Sequence, residues 1–397
     1  MKEDQKIRKN PEIEEEAGPG MKAGAGPEAR TSAGDIALYT LLKEITPPDE
    51  TAREAARRHW TLVAKPLGSL GLLETALEDI AALTGSPEPD LSEKAVVVLC
   101  GDNGVTAQGV SQVDSSVTAA CARQLALRRT SVCRMAETAH CRVLPVDMGI
   151  LDYPEDSRSV GEVLEKGSGF LSCCIRNGTT DFTAGPAMRR EEAEQAVLAG
   201  IRVAREASEH GIRLLAAGEL GIGNTTTASA VTSVLLQLPP EQVTGRGAGL
   251  SDQGLGRKLD AIRRGIALNR PDPSDPLDIL SKVGGLDLAG MCGLYLGGAL
   301  YRVPVLADGF PSLVSALLAV RICPAAGKAV FASHVSTEPA ATLLLDALGK
   351  KPLINAGMHL GEGTGAVAAM PLLAMAESVY RSCYTFEEGG IAQYVPQ

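Results

Sequence analysis

The chain is poor in aromatic residues, 3% of 397, with a single Trp. That scarcity does not suit a sandwich or an aromatic-rich recognition surface. A basic excess is also missing, since 38 Lys and Arg face 48 Asp and Glu for a net charge of −10. Residues 1–34 hold 6 of the basic and 7 of the acidic side chains, so the remainder is acidic. Neither a nucleic-acid nor an anionic-membrane partner is expected. No Cys-x-x-Cys pair occurs among the nine cysteines, and the five histidines show no ligand spacing, so no metal and no cofactor is expected. Met1 to Asn10 is charged and lacks an apolar stretch, which is not a secretory signal. Apolar runs are broken well before membrane-spanning length. Reduced thiols in a cytoplasmic setting are the expectation.

Glycine, by contrast, is abundant at 43 residues, within 45% hydrophobic and 22% charged residues. This suits an α/β protein with close helix–sheet packing and backbone-lined sites. Residues 1–34 are rich in Glu, Lys, Gly, Pro and Ala and carry almost no large apolar side chains, so a disordered tail is expected there. From Asp35, apolar residues recur at helical spacing until Pro47-Pro48; a second helix is expected near Glu50 and a third over Leu72 to Leu83. Near-continuous apolar runs follow at Ala95–Cys100, Arg142–Val146, Ile212–Ala217, Val303–Ala307 and Ala329–Ala332, separated by helical stretches such as Arg190–Glu209 and Phe310–Val320. That alternation predicts a mostly parallel sheet with helices on both faces.

A polar residue follows each run: Asp102, Asp147, Glu219, Asp308 and His334. Any one of these is explained by turn chemistry. Five in succession point to a site rim at the carboxyl ends of the strands. Three glycine-rich segments supply further candidates. Gly218-Glu219-Leu220-Gly221-Ile222-Gly223-Asn224-Thr225-Thr226 leads toward a helix, where free N–H groups favour either a phosphate or an Asn/Thr cap. It has neither the P-loop nor the dinucleotide-binding spacing. Gly245-Arg246-Gly247-Ala248-Gly249 precedes Lys258, which either neutralises a phosphate or belongs to a solvated basic face with Arg257, Arg263 and Arg264. In Leu360-Gly361-Glu362-Gly363-Thr364-Gly365, Glu362 stands before an apolar helix as a general base or as a helix-entry carboxylate.

Taken together and in order, these segments resemble the nicotinate-nucleotide–dimethylbenzimidazole phosphoribosyltransferase family, from about Asp35 to about Tyr384. Also collinear are Lys65-Pro66-Leu67-Gly68-Ser69-Leu70-Gly71, Val117-Thr118-Ala119, Gly185-Pro186-Ala187-Met188, Lys282-Val283-Gly284-Gly285 and Ser333-His334. The resemblance implies a Rossmann-like α/β domain over residues 61–344, a small helical domain from residues 35–60 and 345–397, and a homodimer. It implies small-molecule substrates, nicotinate mononucleotide and an aromatic nitrogen base. It makes Glu362 the catalytic base. Glu219, Gly221, Ile222, Gly223, Asn224, Thr225, Thr226, Gly247, Lys258 and Ser336 match the ribose-phosphate site. Asp102, Asn103, Val113, Cys121 and Leu360 are base-pocket candidates, with Asp147, Asp308 and His334 as further rim candidates. The family usually has Asp-His-Gly where this chain has Asp102-Asn103-Gly104. Val113 and Cys121 likewise stand where the family carries polar residues.

Overall fold

A computed structural model describes residues 33–153 and 158–394. The tail expected over residues 1–34 lies outside the described residues, except for Ala33 and Gly34, which open the helix Ala33–Leu42.

The core is one six-stranded sheet: β1 (Lys94–Gly101), β2 (Arg142–Gly149), β3 (Leu171–Ser172), β4 (Leu214–Leu220), β5 (Val305–Ala307) and β6 (Val330–Ala332). Every pairing is parallel, in the order β3-β2-β1-β4-β5-β6. This doubly wound order reverses direction between β1 and β4, which opens a crevice at their carboxyl ends. All of β1 is buried. A strand covered on both faces has no solvent side, which is why it reads as an unbroken apolar run.

β2 and β4 run further than the apolar stretches suggest. Asp147 pairs with Cys100 and Glu219 with Leu99, so both acids lie inside the ladder rather than after it. Ladder pairing depends on backbone groups, so it continues past the point where side chains turn polar. β3 has only two residues and no apolar signature.

Helices Arg190–Glu209 and Leu286–Leu300 cover one face in close contact. A Cβ on Gly200 would stand 2.0 Å from the Gly290 carbonyl oxygen, so this crossing requires glycine. Helices from near both ends of the described residues meet beside the sheet. Helices Glu50–Leu62, Leu72–Thr84 and Thr364–Ser382 pack together, with Trp60 edge-on to Tyr380 at 4.9 Å and Phe386 N–H donating to the Leu62 carbonyl at 3.0 Å. The Lys65–Gly71 segment is clasped within this cluster. Glu74 Oε1 accepts from Lys65 Nζ at 2.7 Å and from Leu70 N–H at 2.8 Å. No described helix is long and apolar enough to cross a membrane.

Candidate active site

A cavity of about 210 Å³ opens at the carboxyl end of the sheet. β4 contributes Glu219 and Leu220 to its lining. The following loop and the first turn of helix Asn224–Leu236 contribute Gly221, Ile222, Asn224 and Thr225. Gly247, His334, Ser336, Leu360 and Glu362 come from three other segments. Residues more than a hundred positions apart therefore converge on one space.

Glu362 is held by its backbone. It adopts φ +59, between Gly361 at +90 and Gly363 at +86, and a non-glycine residue in that region is strained. The turn lies directly on β4. Glu362 N–H donates to the Glu219 carbonyl at 3.2 Å, and a Cβ on Gly218 would stand 2.6 Å from the Glu362 carbonyl carbon. Beneath it, the buried Asp308 carboxylate accepts from Gly363 N–H at 3.2 Å and Ala366 N–H at 3.0 Å, capping helix Thr364–Ser382. Asp308 thus shapes the turn that presents Glu362, and it does not line the cavity. His334 Nδ1 lies 3.8 Å from Asp308. The Glu362 side chain reaches across to helix Ser131–Thr138, where Oε2 accepts from Val132 N–H at 3.2 Å.

The loop after β4 is positioned from both sides. Thr118 Oγ1 accepts from Ile222 N–H at 3.1 Å. Gly223 adopts φ +91 at the start of the helix, with no side-chain cap. The helix begins at Asn224, so Asn224 and the threonines form its first turn, in which Asn224 N–H donates to the Gly221 carbonyl at 3.2 Å and Thr226 N–H to the Gly223 carbonyl at 2.9 Å. Thr226 is buried behind the loop, and Gly223 lines a smaller adjoining cavity with Gln112 and Arg246.

Lys258 is fully buried, unlike a residue of a solvated basic face. Its Nζ donates to Thr225 Oγ1 at 2.9 Å and to the Gly245 carbonyl at 3.0 Å. Burial draws its pKa down to about 8, against the opposing charge of Glu338. Glu338, which the motifs did not single out, lines the cavity and accepts from Gly247 N–H through Oε1 at 3.0 Å. Its Oε2 is buried without a hydrogen-bond partner among the described residues.

A second unanticipated acid is Asp287, at the start of helix Leu286–Leu300 and behind Glu219. Asn224 links the two. Its amide donates to Glu219 Oε2, and it also eases the charge on Asp287. Burial, then the charges of Asp287 and Asp308, push Glu219 up to about 8. Burial raises Asp287 to about 7, although Leu288 N–H and Asn224 pull the other way. Its only trace in the sequence is its place just after Gly284-Gly285, where an acid reads as an ordinary helix-start residue.

The base-side candidates are more scattered. Leu360 lines the mouth and is 56% exposed. Cys121 is half-buried, and burial followed by the charge of Glu362 raises its thiol pKa. Val113 is 46% exposed, next to Gln112, which donates to the Ala248 carbonyl at 2.8 Å. Asp102 and Asn103 are buried below the crevice. Asp102 Oδ2 accepts from Leu151 N–H at 2.9 Å, and Asn103 Oδ1 accepts from Thr227 Oγ1 at 3.4 Å. Asn103 therefore props the loop from behind. Asp147 closes its own turn, accepting from Gly149 and Ile150 N–H at 2.8 Å each, and stays outside the cavity.

A family model described as phosphoribosyltransferase matches residues 45–391. The nicotinate-nucleotide–dimethylbenzimidazole phosphoribosyltransferase of Acetivibrio thermocellus is 41% identical over 360 residues, which span 91% of this chain and 99% of that one. The enzyme of the same name from Halalkalibacterium halodurans is 39% identical over 355 residues, 89% of this chain and 96% of that one. The solved structure of the enzyme of that name from Thermus thermophilus superposes with a TM-score of 0.79 at 40% identity. It covers 87% of this chain and 100% of that one.

Proposed function

The chain belongs to the nicotinate-nucleotide–dimethylbenzimidazole phosphoribosyltransferase family, and on that premise we propose how its cleft divides the work. It transfers the 5-phosphoribosyl group of nicotinate mononucleotide to a benzimidazole-type base, giving nicotinate and an α-ribazole phosphate. The observation that carries the division is that Glu362, the Gly221–Thr225 loop, Gly247 and Ser336 share one cavity.

In this scheme the phosphoryl group sits against the first turn of helix Asn224–Leu236, where the helix dipole favours an anion. Gly247 N–H and the Ser336 hydroxyl complete the cradle, and Lys258 supplies charge through Thr225. Glu338 now occupies the Gly247 N–H, so an arriving phosphate displaces it. The phosphate then favours the charged form of Lys258, against the burial that lowers its pKa.

At the other end, the C1′–N bond to nicotinate breaks and its electron pair returns to the pyridine nitrogen, neutralising the pyridinium. Positive charge grows on the ribose, and Glu219 as its anion stabilises it. One nitrogen of the incoming base forms the new bond on the opposite face, inverting C1′. The proton on its other nitrogen passes to Glu362. Glu362 Oε2 is engaged by Val132 N–H, while no described residue donates to Oε1. That leaves one oxygen to accept the proton. The same reading has the chain acting as a homodimer in the cytoplasm. Its nine free thiols suit a reducing compartment, and sedimentation of the pure protein tests the dimer.

The test is to incubate the protein with nicotinate mononucleotide and dimethylbenzimidazole and to follow nicotinate release. Stoichiometric nicotinate and α-ribazole phosphate are expected. No release with any of a panel of aromatic bases, at high enzyme, would defeat the reading.

A further inference from the structure

A second cavity, of about 310 Å³, lies away from the cleft, between helix Leu72–Thr84, the edge strand β6, residues 349–353 and Leu373. Its volume is in the range of small-molecule sites, roughly 300–1,000 Å³. No residue that lines it lines the cleft.

Leu72, Val330, Phe331, Leu353 and Leu373 give the lining an apolar side, and Thr75 and Asp79 also line it. Lys350 is placed there by backbone. Helix Ala341–Leu348 ends at Gly349, φ +63, and Lys350 N–H donates back to the Leu345 carbonyl at 2.9 Å. This Schellman-type turn fixes where the side chain starts. Its Nζ stands 5.7 Å above the centre of Phe331. Burial lowers its pKa, and nearby Arg53 adds to that, while Asp79 opposes it. Asp79 is itself ion-paired with Arg53. Among the described residues, no hydrogen-bond acceptor or ion-pair partner meets the Lys350 ammonium. Lys351, also in the lining, adds a second positive charge.

A partly desolvated cation without a matching anion is costly unless something supplies one. We propose that this cavity is a second ligand site, which takes a small aromatic monocarboxylate with its carboxylate on Lys350 and its ring against Phe331 and the leucines. One unpaired ammonium calls for one carboxylate, since the Asp79 charge is taken up by Arg53, and the Phe331 and leucine side of the lining calls for a ring. Inorganic phosphate would satisfy the charge and leave the walls wet, whereas a neutral arene would fill the walls and leave the ammonium unmatched.

The probe is 4-bromobenzoate, soaked into crystals of the full chain and located by bromine anomalous scattering, with bromobenzene and inorganic phosphate in parallel. A bromine peak in this cavity, with the carboxylate within hydrogen-bonding distance of Lys350 Nζ, is expected. Neither control should occupy it. In solution, Lys350→Met should weaken 4-bromobenzoate binding about tenfold or more, the worth of one charge-assisted hydrogen bond. The variant's melting temperature should stay near wild type, as should its nicotinate release. A peak only in the Glu219–Glu362 cleft would overturn the proposal. So would equal affinity in Lys350→Met, or a cavity filled by another copy of the chain.

Discussion

The two halves of the cleft carry opposite charges, yet burial treats them alike. On the phosphate side, a single buried lysine is drawn down to about 8. On the ribose side, Glu219 is pushed up to about 8 and Asp287 to about 7. Both shifts have the same first cause, the cost of charge in a dry site. The difference lies in what each half is waiting for. The lysine half is completed by an arriving phosphate, and the carboxylate half by positive charge that grows only as the glycosidic bond breaks. Burial thus works against the charged form on both sides, and the substrate's own charge works for it.

Four substitutions test that contrast, in order of expected effect. The largest belongs to Glu362→Gln, which keeps the Val132 hydrogen bond but cannot take a proton. kcat should fall roughly 10²–10⁴-fold with KM little changed. A raised KM at unchanged kcat would make Glu362 a binding residue only. Lys258→Met should act on the other half. KM for nicotinate mononucleotide should rise roughly tenfold to a hundredfold, and kcat should change less. Unchanged KM would mean that Lys258 merely props Thr225 and the Gly245 carbonyl.

The third variant separates neighbours within the carboxylate half. Glu219 is faced by Asp287, Asp308, Asn224 and Glu362, and Asp287 contributes the largest repulsion. Asp287→Asn removes that negative charge, so Glu219 ionises more easily and its pKa falls. A rate that rises with pH as Glu219 ionises should then rise at lower pH, by about one unit. A profile that stays in place would show that the rising limb is not the ionisation of Glu219. The smallest effect is expected for Glu338→Gln. Losing the resident anion next to the cradle should lower KM for the nucleotide severalfold, measured at low salt. A higher KM would instead assign Glu338 to holding the Gly247 loop in place.

How much of this could be read from the sequence depended on who supplies the interaction. The strands were visible because β1 and its neighbours are buried on both faces, and the 190–209 helix because its apolar residues repeat along one side. The cleft loop and the Glu362 turn were visible because each needs glycine where backbone lies on backbone, as at Gly218. Lys258 looked like one more cation in Arg257-Lys258, and only packing distinguishes its buried Nζ. Glu338 left no local mark, and Asp287 only that of an ordinary helix start. Their importance comes from contacts with Asn224 and Gly247, which are distant in sequence. Asn103 sits in a motif where the family has histidine, yet the structure turns it away from the cavity toward Thr227.

The most direct measurement is a crystal structure of Glu362→Gln with nicotinate mononucleotide and dimethylbenzimidazole bound together. The account predicts the phosphate at the start of helix Asn224–Leu236, against Gly247 N–H, with Glu338 displaced and a ring nitrogen of the base within hydrogen-bonding distance of residue 362. A phosphate bound elsewhere, or a base whose nitrogens both point away from residue 362, would contradict it.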